Sequence, residues 1–446
     1  MRVQTAPGHE TETITALLAR GDVEFATLNY YVQAQSQPDD PEYGLQWGLA
    51  KIDASQAWDL NTGNDNIIIA VIDTGIDLDH PDLQAKIITG YDYVNDDPAP
   101  DDDNGHGTHV AGIAAAVTNN SLGVAGLNWG ARIMPLKALN QTGNGSTFDV
   151  AQAVYYAVDH GAQIINLSVG ASGSKWPCNW PEIEAAFNYA VSQGVLLVVA
   201  SGNNGQDGVN CPGAYDQAMA VGSTTPTDER SFFSNYGPRL DITAPGSSIY
   251  STVPDGYGYK NGTSMATPYV SGLAGLLWSF APSLTAAQVR EMIQSSAEDL
   301  GLTGWDEEFG HGRINALHAL QAVSLQSSPP QLTFLVDDEN GSAPVSDNIQ
   351  VTSLLSETIT WTVTISPNVS WLRLGSPASG VVSSTSDPAG ITLLATHPVS
   401  YGVYTTTVVI TGTISSGGKA GPAKTMVQIE YLSQLPRLYM PIILKP

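Results

Sequence analysis

The 446-residue sequence has little positive charge, little cysteine and no long apolar run. Its 17 Lys and Arg stand against 43 Asp and Glu, and the resulting net charge of −26 excludes the basic surface that nucleic-acid binding requires. No segment approaches the roughly 18 consecutive apolar residues of a transmembrane helix, so we expect no membrane span. Two cysteines occur, Cys178 and Cys211, which fit either one disulfide in an oxidising compartment or two buried thiols.

The amino-terminal region also lacks a recognisable export signal. Residues 1–35 show no basic segment followed by an apolar run, as a secretory signal peptide would. The sequence therefore indicates either a chain shortened upstream or a protein that is not exported by that route. Glycine and proline, by contrast, are plentiful, with 44 and 27 residues, and predict many tight loops.

Residues 37–323 alternate between strand and helix patterns. Four short apolar segments have the composition of strands buried on both faces, namely residues 66–73, 131–139, 163–170 and 195–203. Helical patterns cover 147–162 and 182–194, each with a glycine near its end. This alternation predicts an α/β fold whose mostly parallel sheet is covered by helices on both faces. Its active site should lie at the carboxyl ends of strands, where Asp73, Ser168 and Asn203 fall.

The two ends of the chain differ from residues 37–323 in their residue patterns. Residues 1–36 contain a short helical pattern over 12–18 and a strand-like run over 23–32. The polar segment "QAQSQPDDP" that follows has the composition of an exposed linker open to cleavage. After a second linker at 324–330, residues 331–436 contain short runs rich in Thr and Val. That pattern predicts an all-β sandwich without a catalytic cluster, ahead of a tail at 437–446.

Ser264 stands at the start of a helical pattern in "NGTSMATPYVSG". Serine commonly caps helices there, because its hydroxyl accepts a hydrogen bond from an unpaired N–H. The same place also suits a nucleophile, since the positive end of a helix stabilises a developing negative charge. This segment alone leaves both roles open.

Three further motifs offer the groups that peptide-bond cleavage needs. In "VIDTGID", Asp73 ends a buried strand, where a carboxylate either caps the next turn or serves catalysis. In "HGTHVAGIAAAV", His106 and His109 fall on one helix face, which fits a base, a zinc pair or core packing. The zinc-protease motif H-E-x-x-H is absent. In "VVASGNNG", Asn203 is either an oxyanion donor or a turn residue.

Together, "VIDTGID", "NGHGTHVAG" and "GTSMATP" resemble the signature motifs of the subtilisin-like serine proteases, peptidase family S8. The resemblance covers about 37–323 and is nearest to the thermitase branch. It implies a three-layer subtilisin-like fold and a secreted, calcium-stabilised serine endopeptidase that acts on proteins and peptides through an acyl-enzyme. It assigns Asp73 as orienting acid, His106 as general base, Ser264 as nucleophile and Asn203 as oxyanion donor, with the Ser264 N–H as second donor. His109 is structural in this family.

The resemblance also implies two calcium sites. Residues 92–103 contain six aspartates, which form either a solvated acidic loop or a Ca²⁺ site. By resemblance, the ligands of the first site are Asp92, Asp97 and Asp101, and Asn95 stands where the family often has another acid. The ligands of the second site are the side chains of Asp40, Asp82 and Asn120 and the carbonyls of Val117, Leu122 and Val124.

Substrate specificity follows from the same family. Two uncharged strand segments wall the slot for the side chain before the scissile bond (P1), namely Ser168, Val169 and Gly170, and Ala200, Ser201 and Gly202. Asn210 falls at its floor and adds one polar group. The resemblance therefore predicts a preference for apolar or aromatic P1 residues. It also brings the loops of Cys178 and Cys211 together and implies a disulfide between them, with two free thiols as the alternative.

The remaining regions resemble accessory parts of secreted enzymes. Residues 1–36 resemble the last part of an inhibitory propeptide, which makes the protein's own propeptide a partner. Residues 331–436 resemble Ig-like modules, with a Trp-containing signature of the BACON type, whose polymer or surface ligand is open. A catalytically inactive scaffold that carries a binding module is the rival interpretation. An esterase is a third, but the motif G-x-S-x-G that it would need around Ser264 is absent.

Overall fold

The computed structural model describes residues 10–20, 22–23, 26, 37–171, 173–174, 177–329, 331–336, 345–355, 358–396, 402–414 and 422–433. Most of the strand predicted over 23–32 and all of the tail at 437–446 lie outside the described residues. The helices are α1 Glu10–Leu18, α2 Trp47–Lys51, α3 Ala54–Trp58, α4 His106–Ala115, α5 Thr147–Asp159, α6 Pro181–Ser192, α7 Thr263–Phe280, α8 Ala286–Ser295 and α9 Ala316–Ala322. Within the part of the chain described here, no helix combines the length and apolarity needed to cross a bilayer.

The α/β region is built on one seven-stranded sheet in the order β2-β3-β1-β4-β5-β6-β7, and every neighbouring pair is parallel. The strands are β1 Ile68–Asp73, β2 Tyr91–Asp92, β3 Arg132–Lys137, β4 Ile164–Leu167, β5 Leu196–Ala200, β6 Ala218–Thr224 and β7 Ile242–Pro245. The four predicted strands correspond to β1, β3, β4 and β5, and both predicted helices are present as α5 and α6.

Strand β1 shows why these segments are apolar on both sides. Successive side chains of a strand point to opposite faces. Accordingly, Ile69 and Val71 enter a core shared with α4 and α7, whereas Ala70 and Ile72 enter a second core shared with α5 and α6. The predicted three-layer α/β architecture is confirmed.

A β-hairpin that the sequence analysis did not predict packs against α4. Its strands are β8 Ile249–Val253 and β9 Gly256–Lys260, paired antiparallel. Ser251 Oγ donates a hydrogen bond to the carbonyl of His109 at 2.9 Å, and Thr252 Oγ1 donates to that of Thr108 at 2.7 Å. The hairpin leads directly into α7, so it links the helix that begins at His106 to the helix that carries Ser264.

The carboxyl-terminal region is all-β and contains two sheets around one apolar core, in the orders β10-β12-β16-β14 and β11-β18-β17-β13-β15. The strands are β10 Leu325–Ser328, β11 Gln331–Val336, β12 Val345–Ser353, β13 Ile359–Ser366, β14 Leu372–Ser376, β15 Ser379–Val382, β16 Ala389–Ala395, β17 Gly402–Ile414 and β18 Pro422–Ser433. Residues of the linker expected at 324–330 thus form strand β10, because Leu325 joins the apolar core. Leu60 and Phe280 of the α/β region also pack against this core.

Candidate active site

Asp73 and His106 are brought together by the ends of two elements. Asp73 is the last residue of β1, and His106 is the first residue of α4. Asp73 is fully buried, and its Oδ1 accepts hydrogen bonds from His106 Nδ1 at 2.7 Å and from the Thr74 amide at 2.8 Å. The helix approaches this closely because residue 107 is glycine, and a Cβ there would collide with the carbonyl oxygen of Gly75. The predicted acid therefore holds the predicted base by one ring nitrogen.

The two histidines of this helix have opposite electrostatic environments. Burial lowers the pKa of His106, but the charge and hydrogen bond of Asp73 outweigh burial, and the pKa lies above its ordinary value. His109 Nε2 faces the carbonyl oxygens of Ile249 at 3.0 Å and Gly258 at 3.1 Å. Burial lowers the pKa of His109 to about 3. His109 is thus neutral and belongs to the packing of α4 against the hairpin, whereas His106 is set up to accept a proton.

A buried carboxylate fixes the loop that precedes His106. Asp102 Oδ1 accepts hydrogen bonds from Thr74 Oγ1 and from the Gly105 amide, both at 2.8 Å. Its Oδ2 accepts from the amide of Thr108 at 2.9 Å, in the first turn of α4, where the helix dipole favours a negative charge. Lys137, buried beside Asp73 in the next strand, donates to the Thr74 carbonyl at 2.5 Å. The sequence analysis missed this set of contacts, because Asp102 lies within a run of similar aspartates.

Ser264 is the second residue of α7 and is only 7% exposed. Its Oγ donates to the carbonyl of Ser168 at 3.1 Å, and Ser168 Oγ donates to the carbonyl of Ser264 at 2.9 Å. The second bond replaces a helical one, because Pro268, four residues later, has no N–H. No hydrogen bond between described residues joins Ser264 to His106, and such bonds are often long in the absence of substrate.

Asn203 is oriented by the start of the same helix. Its Oδ1 accepts from the amide of Thr263 at 2.8 Å and from Thr263 Oγ1 at 3.0 Å. These donors fix which end of the amide is oxygen, so Nδ2 is the end that points away from Thr263. A Cβ placed on Gly262 would lie 3.5 Å from both Asn203 Nδ2 and the Ser264 amide. Two N–H donors therefore face one small space beside Ser264.

These residues line a single cleft of about 700 Å³. His106, Asn203 and Ser264 stand on its wall together with Ser168. Among the described residues that line the cleft, His106 is the one with an ionisable side chain. The residues predicted as nucleophile, base and oxyanion donor thus line one otherwise uncharged cleft, which is the arrangement that acyl transfer requires.

The predicted P1 slot is a continuation of this cleft. Of its predicted walls, Ser168, Val169, Gly170, Ala200 and Gly202 line the cleft, whereas Ser201 is fully buried with its Oγ donating to the Asn235 carbonyl. Asn210, the predicted floor residue, also lines the cleft, and its Nδ2 donates to Asn204 Oδ1 while its Oδ1 accepts from Asn235 Nδ2, both at 3.1 Å. The polar group of the floor is therefore held by its neighbours within the protein.

The cleft is also lined by apolar residues that were not predicted. Val150 belongs to α5 and Ile183 to α6, whereas Leu139, Trp180 and Pro212 lie in loops. From sequence alone, such residues cannot be told from ordinary core residues, because both belong to the same helical and strand patterns.

Residues 64–312, more than half of the chain, match the family model of peptidase S8, the subtilase family. The chain belongs to the subtilase family. It is 42% identical over 315 residues to a thermophilic serine proteinase of Bacillus sp. (strain AK1), across 70% of this chain and 76% of that relative. It is 44% identical over 286 residues to thermitase of Thermoactinomyces vulgaris, across 64% of this chain and 99% of thermitase. The predicted resemblance to the thermitase branch is thereby confirmed.

Solved structures agree with the subtilase assignment. A protease from Pseudoalteromonas arctica PAMC 21717 matches with a TM-score of 0.58 and 31% identity, over 64% of this chain and 99% of that protease. The match to the subtilase model ends at residue 312, before the carboxyl-terminal sheets begin. The protein is accordingly a subtilisin-like serine endopeptidase with an additional all-β region.

The disulfide expected from the resemblance is present in this subtilase. Cys178 and Cys211 are bonded, with their Cα atoms 5.8 Å apart, and no described cysteine is free. Around the bond, the amide of Ala171 donates to the carbonyl of Cys211 at 3.1 Å. The bond thus ties the loop after one wall of the slot to its floor beside Asn210.

Two of the acidic residues predicted for the first calcium site, Asp92 and Asp97, pair through their backbones, with N···O distances of 2.9 and 3.1 Å. Asp92 accepts hydrogen bonds from the amides of Val94 and Asn95, and Asp101 accepts from the amide of Leu78. No group of three His, Cys, Asp or Glu side chains in the described residues is arranged to hold a metal ion. The assignment of Asp92, Asp97 and Asp101 to a calcium site stays a prediction, and in this structure each carboxylate accepts a hydrogen bond from a backbone amide.

The second predicted site is more compact. Asp82 accepts hydrogen bonds from Asn120 Nδ2 at 2.7 Å and from the amide of Val124 at 3.0 Å, and Asp40 accepts from the amide of Asn119 at 3.0 Å. Both carboxylates are buried, and among the described residues no Lys or Arg forms an ion pair with either. The amide of Val117 donates to the Asp82 carbonyl at 2.7 Å, and that of Leu122 to Asn120 Oδ1 at 2.9 Å. The structure thus links Asp82 with Asn120 and with the backbone amides of Val117 and Val124, while the ligand roles of the three carbonyls stay predictions.

Proposed function

We propose that this subtilase is a secreted, calcium-stabilised endopeptidase of broad specificity that cleaves peptide bonds through an acyl-enzyme, with a preference for apolar or aromatic P1 residues. The observation that carries the proposal is the 2.7 Å contact of His106 with Asp73 on the same cleft as Ser264 and Asn203. Serine hydrolases use this arrangement of acid, base, nucleophile and oxyanion donor on several unrelated folds.

The proposed reaction begins at Ser264. Its Oγ attacks the carbonyl carbon of the scissile bond, and His106 Nε2 takes the hydroxyl proton, while Asp73 stabilises the imidazolium. The oxyanion of the tetrahedral intermediate accepts hydrogen bonds from Asn203 Nδ2 and the Ser264 amide. His106 then gives its proton to the leaving nitrogen, and the C–N bond breaks. Water repeats the cycle on the acyl-enzyme, with His106 again as base, and releases the carboxylic acid and free Ser264.

The P1 preference rests on the cleft walls. The slot segments 168–170 and 200–202 carry no charge, so burial of a Lys or Arg side chain there would leave its cation unpaired. Asn210 adds little polar attraction, because Asn204 and Asn235 hold both ends of its amide. A peptide-library digest should therefore yield cuts after apolar and aromatic residues, and a strong preference for Lys or Arg would contradict the slot assignment.

Calcium is proposed for the site formed by Asp40, Asp82, Asn120 and the carbonyls of Val117, Leu122 and Val124. Burial raises the pKa of Asp40 despite two backbone N–H donors, and the charge of Asp82 raises it further. Two buried carboxylates without a basic partner fit a hard cation, which binds carboxylate, amide and carbonyl oxygens. The ion would stabilise the folded loops and takes no part in the chemistry. Asp92, Asp97 and Asp101 are proposed as a second Ca²⁺ site, and the pairing of Asp92 with Asp97 supports it.

The outer regions complete the proposal. We assign 1–36 to a partial propeptide, 37–323 to the catalytic domain, and the β-sandwich from Leu325 onward to a module that binds a polymer or surface. Secretion is supported by the Cys178–Cys211 disulfide, since such bonds persist mainly in oxidising compartments.

One experiment separates this enzyme from an inactive scaffold. The purified protein is treated with a serine-directed phosphonate and analysed by peptide mass spectrometry, with a Ser264→Ala variant as control. A parallel digest of a denatured protein, with and without EDTA, provides products for sequencing. The proposal expects a phosphonate adduct on Ser264 alone and new peptide ends. If the wild-type protein takes up no phosphonate and releases no peptides, the proposal fails and the inactive scaffold is the interpretation that remains.

A further inference from the structure

Asn166 is a buried amide in an apolar strand, and it takes no part in the proposed reaction. It lies in β4 and is fully buried. Its neighbours Ile165 and Leu167 enter the core shared with α5 and α6, whereas Ile164 enters the core shared with α4 and α7. Because side chains two residues apart in a strand share a face, Asn166 points toward the second of these cores. A buried amide is unfavourable there unless it is hydrogen-bonded, so its partners indicate its role.

Asn166 belongs to a chain of hydrogen bonds that ends at the nucleophile. Ser271 Oγ, in α7, donates to Asn166 Oδ1 at 2.8 Å. Asn166 Nδ2 donates to Ser168 Oγ at 3.0 Å, and Ser168 Oγ donates to the carbonyl of Ser264 at 2.9 Å. All of these residues are buried. The chain of bonds therefore joins the sheet to the first turn of α7, at the residue that attacks the substrate.

The carbonyl at the end of this chain fixes the direction of every bond in it. A carbonyl oxygen only accepts, and the Ser264 carbonyl has no helical donor because Pro268 lacks an N–H. Ser168 must therefore give its one hydroxyl proton to this carbonyl, and it accepts from Asn166 in turn. The NH₂ group of Asn166 then faces Ser168, and its oxygen faces the hydroxyl of Ser271.

The turn that these bonds hold carries two groups of the proposed reaction. Ser264 supplies both the attacking Oγ and one N–H donor for the oxyanion. The hydrogen bond from Ser168 takes the place of the helical bond that Pro268 cannot form. If the Ser264 carbonyl lost this donor, the backbone of Ser264 would be free to rotate, and small displacements of reacting groups slow a reaction strongly.

We propose that Asn166 is a positioning residue for Ser264. Its NH₂ group orients the hydroxyl of Ser168, which holds the Ser264 carbonyl and thereby aligns the nucleophile and its amide. The inference rests on the proposed endopeptidase activity and deepens it. Because Asn166 acts on the geometry of the reaction and not on the walls of the P1 slot, its loss should lower kcat and leave KM nearly unchanged.

The test reverses the polarity of one bond at nearly constant shape. In Asn166→Asp, an ionised carboxylate only accepts hydrogen bonds, so it draws the Ser168 proton away from the Ser264 carbonyl. Asn166→Leu removes the donor without adding a charge, so its result does not depend on the protonation of a buried carboxyl group. Asn128→Asp is the matched control, because Asn128 is also fully buried and its Nδ2 donates to the carbonyl of Gly272, further along α7.

The readout is kcat per active site on the full chain, with the active sites counted by complete reaction with a serine-directed phosphonate. We expect kcat to fall about 10-fold in Asn166→Asp and about threefold in Asn166→Leu, the range that one hydrogen bond supplies, with KM changed by less than about twofold. Asn128→Asp should lower the melting temperature but leave kcat per active site unchanged. A merely structural role of Asn166 would give the same result as this control.

A double-mutant cycle tests whether Asn166 acts through Ser168. In a Ser168→Ala background there is no hydroxyl to orient, so Asn166→Leu and Asn166→Asp should lower kcat no further. A direct effect of the new carboxylate on the charge of the site would persist in that background, so the cycle separates it from the loss of positioning.

Three results would overturn the inference while leaving the protease in place. They are an unchanged kcat per active site in both Asn166 variants, an equal loss in Asn128→Asp, and an undiminished loss in the Ser168→Ala background. If the wild-type protein cleaves no peptide and Ser264 takes up no phosphonate, the proposed activity has failed instead.

Discussion

The α/β domain and the β-sandwich fill their interiors with different chemistry. Among the described residues of the sandwich, the buried polar side chains are Ser353 and Thr406, and the rest of its core is apolar. The α/β domain buries a set of charged or titratable side chains that includes Asp73, His80, Asp82, Asp92, His109 and Lys137. A buried polar group is costly unless a partner compensates it. The comparison shows that buried polar groups, which are unfavourable without partners, occur mainly in the domain where catalysis and ion binding are proposed.

The strands of the two domains differ in the same way. In β13 of the sandwich, buried and exposed residues alternate, as expected of a sheet with one face in solvent. In β1, every residue after Ile68 is buried, because helices cover both faces. The sandwich can therefore present its outer faces to a partner, whereas the parallel sheet meets substrate only at the carboxyl ends of its strands.

Removal of the nucleophile should produce the largest difference between the domains. Ser264→Ala should lower kcat by about 10⁶-fold, the magnitude known for subtilisin itself, a member of the same family. The melting temperature should stay near that of wild type, since one small hydroxyl is lost. Initial-rate assays on a peptide substrate and calorimetry measure the two effects. A folded Ser264→Ala protein with unchanged turnover would contradict the assignment.

A core substitution in the sandwich should have the opposite effect: it should lower stability and leave activity unchanged. Trp361 is fully buried, and Trp361→Ala should cost about 3–5 kcal/mol in stability because it leaves a large cavity. At a temperature where the α/β domain is folded, kcat/KM should be unchanged. Calorimetry should show the sandwich transition moving down alone. An equal loss of activity would mean that the two domains do not behave as separate units.

The oxyanion donor should come next in size. Asn203→Ala should reduce kcat by about 10²–10³-fold, or about 2.7–4 kcal/mol, a magnitude that comes from subtilisin. KM should change little, because the lost hydrogen bond forms mainly in the transition state. Steady-state kinetics on the same peptide separates the two constants. A rise in KM at constant kcat would assign Asn203 to substrate binding instead.

Calcium should raise the thermal stability of the α/β domain and should not change that of the sandwich. An ion at about 100 times its dissociation constant stabilises the folded state by about 2.7 kcal/mol, and EDTA should remove this. Asp82→Asn should reproduce part of the loss, whereas Asp39→Asn should not, because the Asp39 side chain is exposed and bonds to Ser121. Calorimetry with and without Ca²⁺ makes the comparison. A melting profile indifferent to EDTA after prolonged dialysis would argue against the site.

The pH profile should give the smallest effect. Catalysis needs neutral His106, and its pKa lies above the ordinary value of about 6.5. As pH falls through that raised pKa, the ring becomes protonated and kcat/KM is lost, so the acid limb should have its midpoint above about 6.5. In Asp73→Asn the midpoint should move down. A midpoint that is unaffected by this change would mean that another group controls the limb.

Much of the fold could be predicted from the sequence, because strands and helices follow the pattern of apolar residues within each segment. Buried strands such as 66–73 and helices such as 147–162 are set by apolar periodicity, and both are found near the expected bounds. The roles of Asp73, His106 and Ser264 were assigned from the resemblance of their three motifs to those of a known family, because each motif alone left a structural role open.

The rest depended on contacts that no local pattern encodes. The hairpin 249–260 consists of two five-residue strands, and the second contains two Gly-Tyr pairs, so the hairpin has no clear apolar period. The role of Asp102 was hidden among five other aspartates, and only the fold shows that its carboxylate caps α4. Strand β10 was taken for a linker because Ser and Pro dominate 324–330, yet Leu325 alone anchors it in the sandwich core.

The packing of helix α7 bears on autolysis, the digestion of one protease molecule by another. It runs from Thr263 to Phe280, about 27 Å at the usual rise per residue, so one rigid rod joins Ser264 to the sandwich core that Phe280 contacts. Proteases digest one another through transient local opening, and helix ends open most readily. Because Phe280 is packed at the far end, fraying of this helix requires the sandwich contact to break as well. We therefore expect removal of the accessory domain to speed autolysis at the end of this helix.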